Sequence, residues 1–162
     1  MKQGLVERYQ QALGTNLVAL AFFGSCARGD ETEWSDIDIL LIAENLPAHP
    51  LERLYFIYRP IKEPNWTSKV KSERPIAILA RTKKEFTADV TPLHLDLAED
   101  AEVFYDPEGF LREKLSRVRE LIEEAGLERR RIGESLFWWW KKGMQPRPGT
   151  WAITWEGFKG ER

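Results

Sequence analysis

At 162 residues the chain is long enough for one domain, or one domain with a terminal elaboration, and for a sizeable hydrophobic core. Apolar residues make up 43% and charged residues 31%, and a formal net charge of -2 with a pI near 5.8 excludes a general pull toward nucleic acid or anionic membrane. A single cysteine excludes an internal disulfide and a cysteine-based zinc site, and no run approaches the roughly 18 apolar residues that span a bilayer.

The first ten residues carry Lys2, Glu7 and Arg8 and no apolar core, which is not the pattern of a secretory signal; a cytoplasmic location is expected. Leu5, Tyr9, Ala12 and Leu13 recur near helical spacing, and Gly14 supplies a stop, so a leading amphipathic helix is predicted.

Two apolar runs follow, Leu17–Phe23 and residues 37–42, each near-continuously Leu, Ile, Val and Phe. That composition predicts strands buried in a sheet. Gly24 and Ser25 fall where the first strand stops. Gly24 has no Cβ, so backbone and ligand can approach closely, and Ser25 offers an N–H and a hydroxyl to an oxygen. Residues 25–30 read as the first turn of a short helix whose free N–H groups would face the same anion.

On the second strand side chains alternate faces, so Asp36 and Asp38 point one way and Ile37 and Ile39 the other. Two carboxylates at this spacing repel each other unless a cation lies between them, and hard oxygen ligands suit Mg²⁺ held jointly with substrate phosphates. The pattern predicts a site that moves a phosphoryl or nucleotidyl group with metal assistance. Cys26, in GSCARG, reads either as a small residue filling a tight turn or as a thiol whose pKa the helix start lowers.

GSCARG followed by WSDIDILLI resembles the GS-x-x-x-G … S-D-x-D signature of the nucleotidyltransferase superfamily that includes DNA polymerase beta, particularly its small stand-alone prokaryotic members. The resemblance implies transfer of a nucleoside monophosphate from a nucleoside triphosphate, ATP above all, to an acceptor hydroxyl, with Mg²⁺ or Mn²⁺ held by three carboxylates. It implies that Gly24 and Ser25 contact the triphosphate, that Arg28 and Gly29 complete the cradle, and that Asp36 and Asp38 are the catalytic metal ligands. It also implies a mixed α/β (α+β) sheet of about four or five strands with helices packed against it.

Further along, residues 44–50 form a loop in which Pro47 and Pro50 bracket an exposed His49. Residues 51–61 begin as a helix with Leu51, Leu54, Tyr55 and Tyr58 on one face, ended by Pro60 and Pro64. The polar stretch 62–73, with Trp66 alone among its residues, is either an acceptor-side loop or a connector. Residues 75–81, PIAILAR, are a third strand, followed by a capping box of Thr82 and Glu85. The resembling family places its third carboxylate on this strand, where the sequence has none. Glu73, just before it, and Asp96 are the alternatives.

Residues 91–101 admit two readings. As a strand, His94 and Asp96 share a face; as a helix, Thr91 caps, Pro92 takes the first position, and Leu93, Leu97, Ala98 and Ala101 make the buried stripe, leaving His94 at the surface. The cap and proline favour the helix. A short strand at 103–105 leads to Asp106, Pro107 and Glu108, predicted to start the clearest helix of the chain, with Phe110, Leu111, Leu115, Val118, Leu121, Ile122 and Ala125 as its stripe and Gly126 as its end.

Residues 1–126 are thus expected to be the core domain and 127–162 a Trp- and Arg-rich elaboration packed on it or on a partner. There Arg129, Arg130 and Arg131 precede Phe137, Trp138, Trp139 and Trp140. Basic residues among aromatics suit nucleic-acid binding, docking of a helical protein partner or self-association, or plain packing of Ile132, Leu136 and Trp140 on a last short helix; nucleic acid is the less favoured partner. Trp151, Ile153 and Trp155 alternate like an edge strand, and residues 157–162 are expected to fray. The main functional expectation is a metal-dependent nucleotidyltransferase. The alternative, implied by the resemblance because small members of that superfamily look like antitoxins paired with a helical protein, is a catalytically weak protein that binds nucleotide and partner.

Overall fold

The computed structural model describes residues 1–62 and 74–162; Glu73, Trp66 and the rest of the expected acceptor-side loop after Lys62 lie outside the described residues. The described chain divides into two units, one of Met1–Phe86 with Asp100–Arg112 and one of Thr87–Glu99 with Glu113–Arg162.

The first unit is built on a four-stranded mixed sheet, the predicted class. Strand β1 (Leu17–Phe23) pairs antiparallel with β2 (Ile37–Ala43) on one side and with β4 (Glu102–Tyr105) on the other, while β3 (Ile76–Thr82) runs parallel to β2. The order is β3-β2-β1-β4. Being central, β1 and β2 are covered on both faces, which is why they read as continuous apolar runs: Ala19, Leu20, Ala21, Ile39, Leu40, Leu41 and Ile42 are fully buried. Helix α1 (Lys2–Leu13) inserts Leu5 and Tyr9 into this core, and the Tyr9 hydroxyl donates to the carbonyl of Ile57 at 2.8 Å. The short helix α2 (Gly24–Arg28) follows β1 directly.

Parallel strands need a crossover, and α3 (Pro50–Tyr58) supplies part of it between β2 and β3. The face carrying Leu51, Leu54 and Tyr55 is exposed, and Ile57 is the buried residue. Tyr58 protects the sheet edge. Its hydroxyl accepts from the N–H of Ile78 at 3.1 Å and lies 3.2 Å from the carbonyl of Ile76, to which it donates. Edge strands present such unpaired groups to other chains. Tyr58→Phe is expected to lower unfolding free energy by about 1–3 kcal/mol, the cost of stranding part-buried backbone groups, which urea denaturation would read. The predicted capping box forms at α4 (Lys83–Phe86): the N–H of Glu85 donates to Thr82 Oγ1 at 3.1 Å, and the N–H of Thr82 donates to Glu85 Oε2 at 2.9 Å. Arg53 grips the same carboxylate with two bonds, of 3.0 and 2.8 Å, and these bonds hold the Glu85 pKa below the ordinary glutamate value.

The last predicted helix starts later than expected. Residues 107–109 make a turn and helix α6 runs Phe110–Ala125, because Asp106 caps from a distance: its buried carboxylate accepts from the N–H groups of Leu111 and Arg112, at 3.3 and 2.9 Å. Of the predicted stripe, Leu111, Leu115, Val118, Leu121, Ile122 and Ala125 are buried and Phe110 is half-buried.

In the second unit α5 (Pro92–Asp100) takes the helical reading. His94 departs from the expected surface position. It is 5% exposed, its Nδ1 accepts from the N–H of Thr91 at 3.1 Å, and its ring stands edge-on to Trp155 at 5.6 Å. The ring therefore completes the N-terminal cap from inside.

The Trp-rich segment also corrects its expectation of a short helix. Residues 127–140 form a hairpin of β5 (Leu127–Ile132) and β6 (Ser135–Trp140) around the two-residue loop Gly133-Glu134. Alternation decides it: Leu136, Trp138 and Trp140 are half-buried while Phe137 and Trp139 are exposed, so adjacent tryptophans face opposite ways. The segment expected to fray instead contributes β8 (Gly157–Lys159), paired with β7 (Ala152–Thr154), and Arg162 donates to the carbonyls of Glu124 and Ala125 at 2.9 and 3.1 Å, satisfying helix-end acceptors. Trp138, Trp140, Ile153, Trp155 and Phe158 pack on a core of Leu95, Ala98, Val118, Ile122, Ala125 and Leu127. Among the described residues no helix is long and apolar enough to cross a membrane.

Candidate functional site

Antiparallel register places Phe23, the last residue of β1, opposite Asp38 near the start of β2. The chain then turns into α2 at Gly24, whose φ is +70°. A Cβ built there would sit 2.4 Å from Asp38 Oδ2, so glycine alone permits the bend to lie against that carboxylate. Gly24, Ser25, Asp36 and Asp38, named separately from the sequence, therefore come from one end of one pair of strands.

The electrostatics follow from that packing. Burial pushes the Asp38 carboxyl above its ordinary pKa, the negative charge of Asp36 pushes it further, and the charge of Arg28 partly offsets both. A carboxylate raised by a neighbouring carboxylate is a site short of positive charge. The half-buried carboxylate of Asp38 on β2 and the exposed one of Asp36 just before the strand, beside a bend with room only for hydrogen at Cα, fit a hard divalent cation that shares its remaining positions with phosphate oxygens.

Arg28 is committed. Its Nη1 donates to Asp100 Oδ2 at 3.0 Å and its Nε to Asp30 Oδ2 at 3.2 Å, with the Asp100 carboxylate 5% exposed. Burial alone would lower its pKa, but the bonds to Asp100 and Asp30 outweigh that and raise it.

Sequence reasoning missed Arg74. Its Nε donates to the carbonyl of Ser35 at 2.7 Å and its Nη2 to Cys26 Sγ at 2.8 Å, while the Cys26 thiol reaches the carbonyl of Asp36 at 3.4 Å. The available signal was positional: Arg74 is the last residue before Pro75, whose carbonyl accepts from Ile37 as the β2–β3 pairing begins.

The third carboxylate has no counterpart on β3. The residue in register with Asp38 there is Ala77. Asp96 lies on α5, where its Oδ1 accepts from Trp138 Nε1 at 2.9 Å and stands 3.8 Å from Arg129 Nη1. Among the described residues no three His, Cys, Asp or Glu side chains come together as a metal-holding group.

Comparison with known proteins gives a match over residues 3–128 to the family model described as nucleotidyltransferase domain. A protein of Methanocaldococcus jannaschii bearing the name putative protein adenylyltransferase is 28% identical over 126 residues, spanning 73% of this chain and 78% of that one. Crystal structures of two variants of the toxin-antitoxin MntA-HpeT are similar with TM-scores of 0.50, at 13% and 14% identity; both cover 76% of this chain, and 91% and 90% of the solved chains. At that identity the likeness shows the fold.

Proposed function

Because the chain belongs to the nucleotidyltransferase domain family, we propose that it is an antitoxin-like protein that binds a nucleoside triphosphate with a divalent metal, docks a protein partner, and transfers nucleotide slowly. The observation that carries this reading is the apposition of Gly24 with Asp38, which brings the bend after β1 against the carboxylate end of β2.

In this reading Asp36 and Asp38 hold Mg²⁺ or Mn²⁺, the bend at Gly24 admits the phosphates, and Ser25 donates its N–H and hydroxyl to their oxygens. The metal, when bound, supplies charge neutralisation at the phosphates. Arg28, held by Asp30 and Asp100, shapes the end of α2 and keeps its charge near Asp38. Transfer would proceed by attack of an acceptor hydroxyl oxygen on the α-phosphorus, pyrophosphate leaving as the new bond forms and the hydroxyl proton passing to solvent. With Ala77 opposite Asp38, β3 offers no carboxylate to take that proton, which is the reason to expect slow transfer. Partner docking is assigned to the outer face of the β5–β6 hairpin, where Phe137 and Trp139 are 46% and 53% exposed.

A second reading, efficient transfer of a nucleoside monophosphate to a protein hydroxyl, draws on the name of the archaeal relative, similar at 28% identity. The two readings are separated by rate. The protein, incubated with ATP, Mg²⁺ and the proteins that copurify with it, is expected to add one nucleoside monophosphate to a partner over hours, read by intact-mass spectrometry. Turnover within seconds would replace the first reading by the second. Absence of metal-dependent ATP binding by calorimetry would overturn both.

A further inference from the structure

We infer that Arg74 is a positioning residue of the nucleotide site, a strap that fixes the bend of α2 against the carboxylate end of β2. The inference rests on the functional reading above only where nucleotide affinity is concerned; its mechanical part stands on the geometry of the protein alone.

Three chain segments meet at this side chain. Arg74 stands at the entrance to β3. Its guanidinium reaches the carbonyl of Ser35, one residue before Asp36, and the sulfur of Cys26, one residue after Ser25. Nε and Nη2 lie on the same edge of the guanidinium plane, so one rigid group sets the spacing between the two acceptors. The Cys26 thiol closes the triangle through the carbonyl of Asp36. The five-residue helix α2 is short and only partly covered: Cys26 and Ala27 pack half-buried against the sheet core, and Arg28 is drawn toward Asp30 and Asp100. The strap therefore determines how far Gly24 and Ser25 stand from Asp36 and Asp38. A shared polyphosphate needs that distance held, because misplacing binding groups by an ångström forfeits much of their effect.

Lysine cannot substitute. It carries the charge, but its single ammonium lacks the planar pair of donors that spans both acceptors.

The test uses the intact chain and two independent readouts. Amide exchange follows Gly29 and Asp30, whose N–H groups both bond the carbonyl of Ser25, at 3.0 and 3.2 Å, and so report on α2. Arg74→Ala and Arg74→Lys are both expected to speed exchange at these two amides by about tenfold or more while leaving the β1 and β2 amides unchanged. Unchanged exchange at Gly29 and Asp30 overturns the inference whatever the nucleotide result. Uniformly faster exchange, sheet included, overturns it as well, since Arg74 would then be a general stability residue.

Calorimetry with ATP and Mg²⁺ is the second readout. Affinity is expected to fall about tenfold in Arg74→Ala, and adding Cys26→Ala to it should cost little more, because both changes cut the same strap. Additive losses would overturn the shared-strap account. Should the unmodified protein fail to bind the nucleotide, the functional reading falls, and the exchange result still decides the strap.

Discussion

Gly24→Ala is expected to destabilise the protein by about 1–2 kcal/mol and to abolish metal-dependent nucleotide binding. The stability loss comes from the backbone: φ at this position is +70°, a conformation that costs an L side chain about 1–2 kcal/mol. The binding loss has a separate cause. The new Cβ would meet Asp38 Oδ2 at 2.4 Å, and since that atom ends a rotatable side chain, the carboxylate swings aside rather than the sheet breaking. Gly29→Ala is the matched control. Gly29 has φ +76° with nothing within 4 Å of the point where a methyl group would stand, so the same backbone cost arises without touching Asp38. Thermal denaturation should therefore give similar losses for the two variants, and calorimetry with ATP and Mg²⁺ should separate them completely. Equal retention of binding in both would remove Gly24 and Asp38 from the proposed site.

That contact also shows how far the sequence could be read. That Gly24, Ser25, Asp36 and Asp38 come together was legible because the bend, the carboxylates and the adjoining strands lie within one hairpin-like stretch, where antiparallel pairing leaves little freedom. The β1 and β2 cores were legible for the same reason, as was the Thr82–Glu85 capping box, whose two bonds close within four residues. Arg74 was not legible. Its partners Cys26 and Ser35 are 48 and 39 residues away, and its place just before Pro75 marks the start of β3 without pointing to either of them. Nor was the commitment of Arg28 to Asp100, 72 residues on.

The Trp-rich hairpin failed for a different reason. Residues 132–140 contain apolar side chains at both helical and strand spacings, and the hairpin pairing of Arg129 with Trp138 and Leu127 with Trp140 settles the choice for the strand. His94 likewise reads as a surface helix residue until Trp155 covers it from the other end of the chain.

Asp38→Asn and Asp36→Asn are each expected to weaken ATP·Mg²⁺ binding by about tenfold or more, while Asp38→Asn leaves the unliganded protein slightly more stable than before. The second effect follows from the direction of the shift. The Asp38 carboxyl is raised in the folded protein, by burial first and by Asp36 second. A raised carboxyl favours the fold most when protonated; that contribution is complete below the unfolded aspartate value near pH 3.9 and is lost as pH rises through the higher folded value. At neutral pH the ionised group is therefore a small liability, reduced further by its solvent contact. Thermal melts should show Asp38→Asn above the unmodified protein by about 1 °C at pH 7, the gap closing toward pH 4. With ATP and Mg²⁺ the order should reverse, because the cation binds the ionised form and its stabilisation grows as pH rises through the folded Asp38 value. Asp36→Asn removes one cause of the shift and should shallow that pH dependence as well as weaken binding. If both asparagine variants gain the same thermal shift from ATP and Mg²⁺ as the unmodified protein, these carboxylates hold no metal.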